Sequence, residues 1–260
     1  MLKSSFSSSS LKRGLAVSVL SFGALLGACS SKTTAPPASM GMVMHKTLPA
    51  KVMAVKLTDQ FGKRQSLAKL NAKRSVVLLP FLTLCPEICP LTTGNAVAVQ
   101  QHLDHSKAKG KVLLVAVTVD PSRDSVSRLS VYAQQFKSSV LFARTSPEDL
   151  KVLADYFGWF YERSLLTPKE IASAPKDWLT GKAITSDVAH SDGYELIAPG
   201  GKWKFMNASA PAFKGKLPPK LTAYLTEEGQ QHWKQPSVHN WTPAELDQAI
   251  SWSTGLRVSP

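Results

Sequence analysis

The stretch Ser75-Val76-Val77-Leu78-Leu79-Pro80-Phe81-Leu82-Thr83-Leu84-Cys85-Pro86-Glu87-Ile88-Cys89-Pro90 decides the fold. Its unbroken apolar start predicts a buried strand over 75–82. Pro80 lacks an N–H, which predicts that the strand ends or bulges there. After Pro90, Ala96, Val99 and Leu103 recur at helical spacing and predict a helix over 91–103. Two cysteines therefore fall at a strand-to-helix junction. There the helix dipole and its free N–H groups favour thiolate over thiol, the form that binds metal or attacks a disulfide.

Upstream, 52–57, the turn Thr58-Asp59-Gln60-Phe61-Gly62 and 63–67 read as strand, turn, strand. Downstream, the β-branched run over 111–119 predicts a strand buried on both faces. With the strand before Cys85 and the helix between them, it forms a βαβ unit with a parallel sheet. Asp120-Pro121-Ser122-Arg123-Asp124-Ser125 ends that strand and opens a helix lined by Val126, Leu129, Ala133 and Phe136, with Asp124 read as its cap. A short strand over 140–143 follows. Ser146-Pro147-Glu148-Asp149 then opens a helix whose buried side is Leu150, Leu153, Ala154 and Phe157. The stretch 161–185 reads as a loop containing a short helix. The stretch 187–205 reads as a hairpin about Pro199-Gly200-Gly201, with His190 just before its first strand. The tract 207–240 is rich in Pro, Lys and Gln, with one helix near 217–228. Thr242-Pro243-Ala244-Glu245 is a capping box that starts a final helix.

The chain opens differently. Lys3, Lys12 and Arg13 precede an apolar segment over 15–26, and Leu26-Gly27-Ala28-Cys29 follows. This is a secretory signal over 1–28. Its end resembles the lipobox of bacterial lipoproteins, which implies that Cys29 carries lipid and that the mature protein is exported and anchored to a membrane. The anchor places it on the periplasmic face in a double-membrane bacterium, and Ser30 after the cysteine resembles outer-membrane cargo. Residues 29–45 then form the lipidated Cys and a flexible tether, and 46–260 the folded domain. Of the three cysteines, Cys85 and Cys89 remain, in a compartment where disulfides form. The formal net charge of +13 suits an anionic membrane or an acidic partner, though a solvated basic surface is the simpler reading. Export and the absence of a nucleic-acid motif argue against nucleic acid as a partner.

The C-x-x-x-C-P of Cys85, Cys89 and Pro90, the Asp120-Pro121-Ser122-Arg123-Asp124 after the next strand, and His190-Ser191 before the hairpin together resemble the Sco/SenC family. The opening turn at 57–62 resembles that family as well. The resemblance covers about 52–205. It implies an α/β, thioredoxin-like fold: a central mixed sheet flanked by helices, an N-terminal strand-turn-strand extension, and a C-terminal hairpin plus helix. It departs from the family at Pro80-Phe81-Leu82-Thr83-Leu84 and in the long tract 207–240, an atypical insertion. It implies copper ligation by Cys85, Cys89 and His190, and delivery of copper to the two-copper centre of the second subunit of cytochrome c oxidase. Two thiolates and an imidazole suit Cu(I) and Cu(II) alike, though zinc accepts the same donors. Cys85 and Cys89 also form a candidate redox pair, able to close a disulfide. On that basis an exported thiol–disulfide reductase is the alternative function, with a thiol peroxidase a third. Asp120 reads either as a hydrogen-bond acceptor near the thiolates or as a turn residue. The string Met40-Gly41-Met42-Val43-Met44-His45 could hold copper through thioethers, but linker plus the start of a strand is favoured. His102, His105, His232 and His239 read as surface residues.

Overall fold

The computed structural model describes residues 34–259, so the signal segment and Cys29 lie outside the described residues. The elements run β1 (Met42–Thr47), α1 (Ala50–Ala54), β2 (Lys56–Asp59), β3 (Arg64–Ser66), α2 (Leu67–Asn71) and β4 (Ser75–Phe81). Next come α3 (Cys89–Asp104), β5 (Val112–Thr118), α4 (Val126–Phe136), β6 (Leu141–Arg144) and α5 (Pro147–Phe157). The chain continues through β7 (Tyr161–Leu165), α6 (Pro168–Ser173), β8 (Ser186–His190), β9 (Tyr194–Ala198) and β10 (Lys202–Asn207). It closes with α7 (Pro219–Tyr224), α8 (Glu227–Lys234) and α9 (Pro243–Thr254).

Eight strands form one mixed sheet in the order β1-β10-β9-β4-β5-β6-β2-β3. Among the described strands only the β4–β5 and β5–β6 pairs are parallel, as expected for strands joined by α3 and α4. The sheet separates two cores. Val77, Leu79 and Phe81 of β4 pack into one, with residues of α3, α4 and α9; Val76 and Leu78 pack into the other, with residues of α1, α2 and α5. This alternation of a strand apolar on both sides explains why β4 reads as a continuous hydrophobic run.

Pro80 does not interrupt β4. Ser75 N–H donates to Lys111 O, and Phe81 O accepts from Val119 N–H. Odd-numbered residues of β4 therefore face β5, and even-numbered ones, Pro80 included, face β9. Pairing with β9 has already stopped at Leu78–Glu195, so the missing N–H of Pro80 leaves no gap in the ladder.

Three other expectations change. Residues Val52 to Ala54 lie in α1, not in a strand, and β2 begins only at Lys56. Pro49 stands at the N-cap, and the helix buries Val52 in the core with Leu67 and Leu70, a tertiary demand that outweighs β-branched propensity. The irregular tract after Phe160 holds β7, which pairs with β8 over Tyr161↔His190 to Leu165↔Ser186. The hairpin proper is β9–β10 alone, and Gly200 and Gly201, with φ of 77° and 74°, make its turn. The helix expected near 217–228 is two helices, because the Thr226 hydroxyl accepts from Gly229 N–H and starts α8 anew. At the other end, Met40 is buried in one core while Met44 packs against the other, so these thioethers do not converge.

Candidate metal centre

The site is assembled from two pieces of chain. The first is the loop from Leu82 to Ile88, which leaves β4 and enters α3. Cys89 is the first residue of α3 and is fully buried. Its sulfur accepts from Leu82 N–H at 3.3 Å. The Cys85 sulfur lies before the helix and accepts from the N–H groups of Ile88 and Cys89, each at 3.4 Å. It therefore takes the place of a capping oxygen at a helix start, where negative charge is favoured. Both cysteines are free thiols.

The second piece is the β7–β8 ribbon, which ends at His190. His190 Nε2 lies 3.3 Å from Cys89 Sγ, and Nδ1 lies 2.8 Å from Ser191 O. The Nδ1 proton is thus donated to a carbonyl, which turns Nε2 toward the sulfurs. Gly193 completes the turn with φ 106°, close against the backbone of Asn207 where no side chain fits. Cys85 Sγ, Cys89 Sγ and a His190 ring nitrogen all lie within 4.8 Å of one another.

The two thiols are driven apart in acidity. A hydrogen bond from Cys89 holds Cys85 well below the ordinary thiol range, against the effect of burial, and His190 adds to the lowering. Burial pushes Cys89 well up, and the neighbouring Cys85 adds to the rise. Burial alone would lower His190, but the hydrogen bond and charge of Cys85 raise it to about 9. Burial and the Cys85 charge, with Glu228 and Asp187, raise Glu87 to about 7.

Each piece is tied down by part of Asp120-Pro121-Ser122-Arg123-Asp124. Asp124 is buried and accepts from Thr83 N–H, from the Thr83 hydroxyl and from the Thr118 hydroxyl, so it fixes the loop two residues before Cys85. It does not cap α4; that is Ser125, whose side chain accepts from Arg128 N–H. Asp120 is also buried, and its carboxylate is taken up by Arg123, Arg163 and the Ser122 hydroxyl. Arg123 and Arg163 reach on to Ser186, the first residue of β8. Asp120 thus meets neither sulfur through a hydrogen bond; it anchors the ribbon that carries His190. The sequence motif announced these acids but not what they would hold.

Of the other histidines, His102 is half-buried and pairs with buried Asp247 at 2.5 Å, which joins α3 to α9. It is a structural tie, not a free surface residue. His105 and His239 are exposed and His232 is partly exposed, near Glu228.

The chain is similar to several known proteins. The SCO1/SenC family model matches residues 46–207. An SCO2-like protein of Rickettsia conorii is 31% identical over 107 residues, 41% of this chain and 51% of its own length. A mitochondrial SCO1 homologue of Arabidopsis thaliana is 30% identical over 40% of this chain and 30% of its own length. The chain thus spans about half the length, or less, of these curated relatives. Among solved structures, apo Sco1 of Thermus thermophilus superposes with a TM-score of 0.50 at 24% identity, over 68% of this chain and 89% of that one. That likeness is one of fold: a thioredoxin-like mixed sheet flanked by helices.

Proposed function

Because the chain belongs to the SCO1/SenC family, we propose that it is a copper-binding protein of cytochrome c oxidase assembly. In this reading it is tethered to a bacterial membrane through Cys29 and delivers copper to the two-copper centre of the oxidase's second subunit. The observation that carries the copper reading is the convergence of two sulfurs and an imidazole nitrogen within 4.8 Å. Soft sulfur suits Cu(I), and sulfur with nitrogen suits Cu(II). Three protein donors leave the coordination open, as a carrier that passes its ion on requires. The Ile88 and Cys89 N–H groups favour the thiolate of Cys85, and thiols and imidazole alike bind a metal only once deprotonated.

The test is metal titration of the reduced fragment from Met40, followed by X-ray absorption at the copper edge. One copper per reduced chain is expected, with sulfur and nitrogen in its shell and almost none bound once Cys85 and Cys89 are oxidised to a disulfide. Cys85→Ala, Cys89→Ala and His190→Ala each weaken binding, the cysteine changes more so for Cu(I). Tight binding by the oxidised protein, or a shell without sulfur, would overturn the assignment. The tether is tested by fractionation: Cys29→Ser should release the protein from membranes.

One observation favours a second reading, a thiol–disulfide reductase acting on a partner's cysteines. The Cys85 sulfur sits at a helix start and accepts from two N–H groups, which suits an attacking thiolate, while Cys89 lies fully buried behind it as the thiol that would resolve the mixed disulfide. Insulin reduction by the His190→Ala protein separates the two. Full reductase activity with no copper phenotype would favour the second reading.

A further inference from the structure

The helices α7 and α8 lie beyond residues 46–207, the span of the family match. Their excursion is closed at its base, where Ala212 N–H donates to Trp241 O at 2.7 Å and Trp241 N–H to Ala210 O at 2.9 Å. Leu217, Leu221 and Leu225 are buried and join the core that also holds Cys85 and Cys89. Past Leu225 the chain meets the cysteine loop directly. Thr226 N–H donates to Pro86 O at 3.0 Å, and the Thr226 hydroxyl lies 3.5 Å from the same oxygen while it caps α8. Gly229 follows on the first turn of α8. A β-carbon there would lie 2.5 Å from Pro86 O and 2.8 Å from Glu87 Cα. Its backbone is ordinary helix, so close approach, not conformational freedom, requires glycine at this position.

We propose that α7–α8 form a strap across Pro86-Glu87, with Thr226 and Gly229 as positioning residues of the dithiol. Pro86 is bonded to Cys85, and Glu87 leads into the two N–H groups that hold the Cys85 sulfur. Fixing the Pro86 carbonyl from outside therefore fixes the capping geometry of that sulfur before any metal arrives. Leu217, Leu221 and Leu225 of this segment share the core that holds Cys85, which is almost wholly buried although it belongs to no helix or strand. The inference rests on these contacts and stands whether or not the cargo is copper.

The test uses the reduced, metal-free protein, so its outcome is independent of the copper reading. In Gly229→Leu the new side chain cannot share space with Pro86 and must lift the strap. Alkylation of Cys85 by iodoacetamide, followed by mass spectrometry, should accelerate about tenfold or more, the scale of an overpacked contact. Hydrogen exchange at the Ile88 and Cys89 amides should rise with it, while exchange in β5 stays at the parent rate. Unchanged alkylation, or a rise only in step with β5, would show a merely structural segment and overturn the proposal. Should Gly229→Leu fail to fold, Thr226→Val serves in its place. It keeps the volume but loses the hydroxyl, and about threefold faster exchange at Ile88 and Cys89 is expected from the loss of the cap. Parent rates in that variant overturn the proposal equally.

Discussion

The cysteine arm and the histidine arm of the site are built on opposite principles. The cysteines stand where a buried parallel strand enters a buried helix; β4 is buried at every position, and so is α3 from Cys89 to Ala96. His190 stands at the end of a two-stranded ribbon whose β7 strand is largely exposed. The first arm is held by apolar packing and by hydrogen bonds to a buried carboxylate. The second is held by guanidinium–carboxylate pairs reaching out from the end of β5. The arm that bears sulfur is therefore rigid because its surroundings are dense, whereas the arm that bears nitrogen depends on a few polar ties. Such ties leave low-energy local opening available to the ribbon while the sheet stays closed.

Removing the carboxylate that ties down the cysteine arm should have the largest effect. Asp124→Ala strands one buried N–H and two buried hydroxyls, and a loss of about 3 kcal/mol or more is expected from their unmet hydrogen bonds. Urea unfolding would register that loss directly, together with faster alkylation of Cys85. If stability held, the contrast between the arms would fail.

On the histidine arm the change should be smaller and more local. Asp120→Asn removes the charge that pairs with Arg123 and Arg163 but keeps the shape. Because Arg163 is 39% exposed and so screened by water, the expected cost is only about 1–2 kcal/mol. Exchange in β7 and β8 should quicken while α3 keeps its protection, and copper affinity should fall through displacement of His190. Equal loosening of both arms would show that they are held alike.

A third change sharpens the comparison by touching neither arm. Glu195 of β9 is buried and accepts from the indole N–H groups of Trp159 at 3.2 Å and Trp203 at 2.9 Å. Burial raises its pKa to about 8, against the lowering effect of the two indoles. The folded state then holds a proton that the unfolded state has already lost above the ordinary glutamate range. Stability from this group is full below the unfolded pKa of about 4.3 and declines as pH rises toward about 8. Denaturation midpoints measured between pH 5 and 9 should show that fall. Glu195→Gln should flatten it and leave copper affinity unaltered; a slope unchanged in the variant would assign the titration to another group.

The sequence by itself determined the parallel unit at the centre and the position of the thiols at a helix start, whereas His190 was singled out only through the resemblance to a family. The first two are local consequences: a strand buried on both faces must be apolar throughout, and helix geometry places Cys89 on the first turn. Tertiary structure alone decided the rest. Pro80 is tolerated because β9 stops two residues short of it, a fact of register between segments more than a hundred residues apart. Asp124, read as a cap, became the anchor of Thr83 because Ser125 took the cap and the end of β4 came to lie beside it. Tyr161 to Leu165 became a strand only because Ser186 to His190 was there to pair with it. The strap over Pro86 is visible in no local pattern either, since a glycine that must touch another backbone looks, in sequence, like any other glycine in a helix.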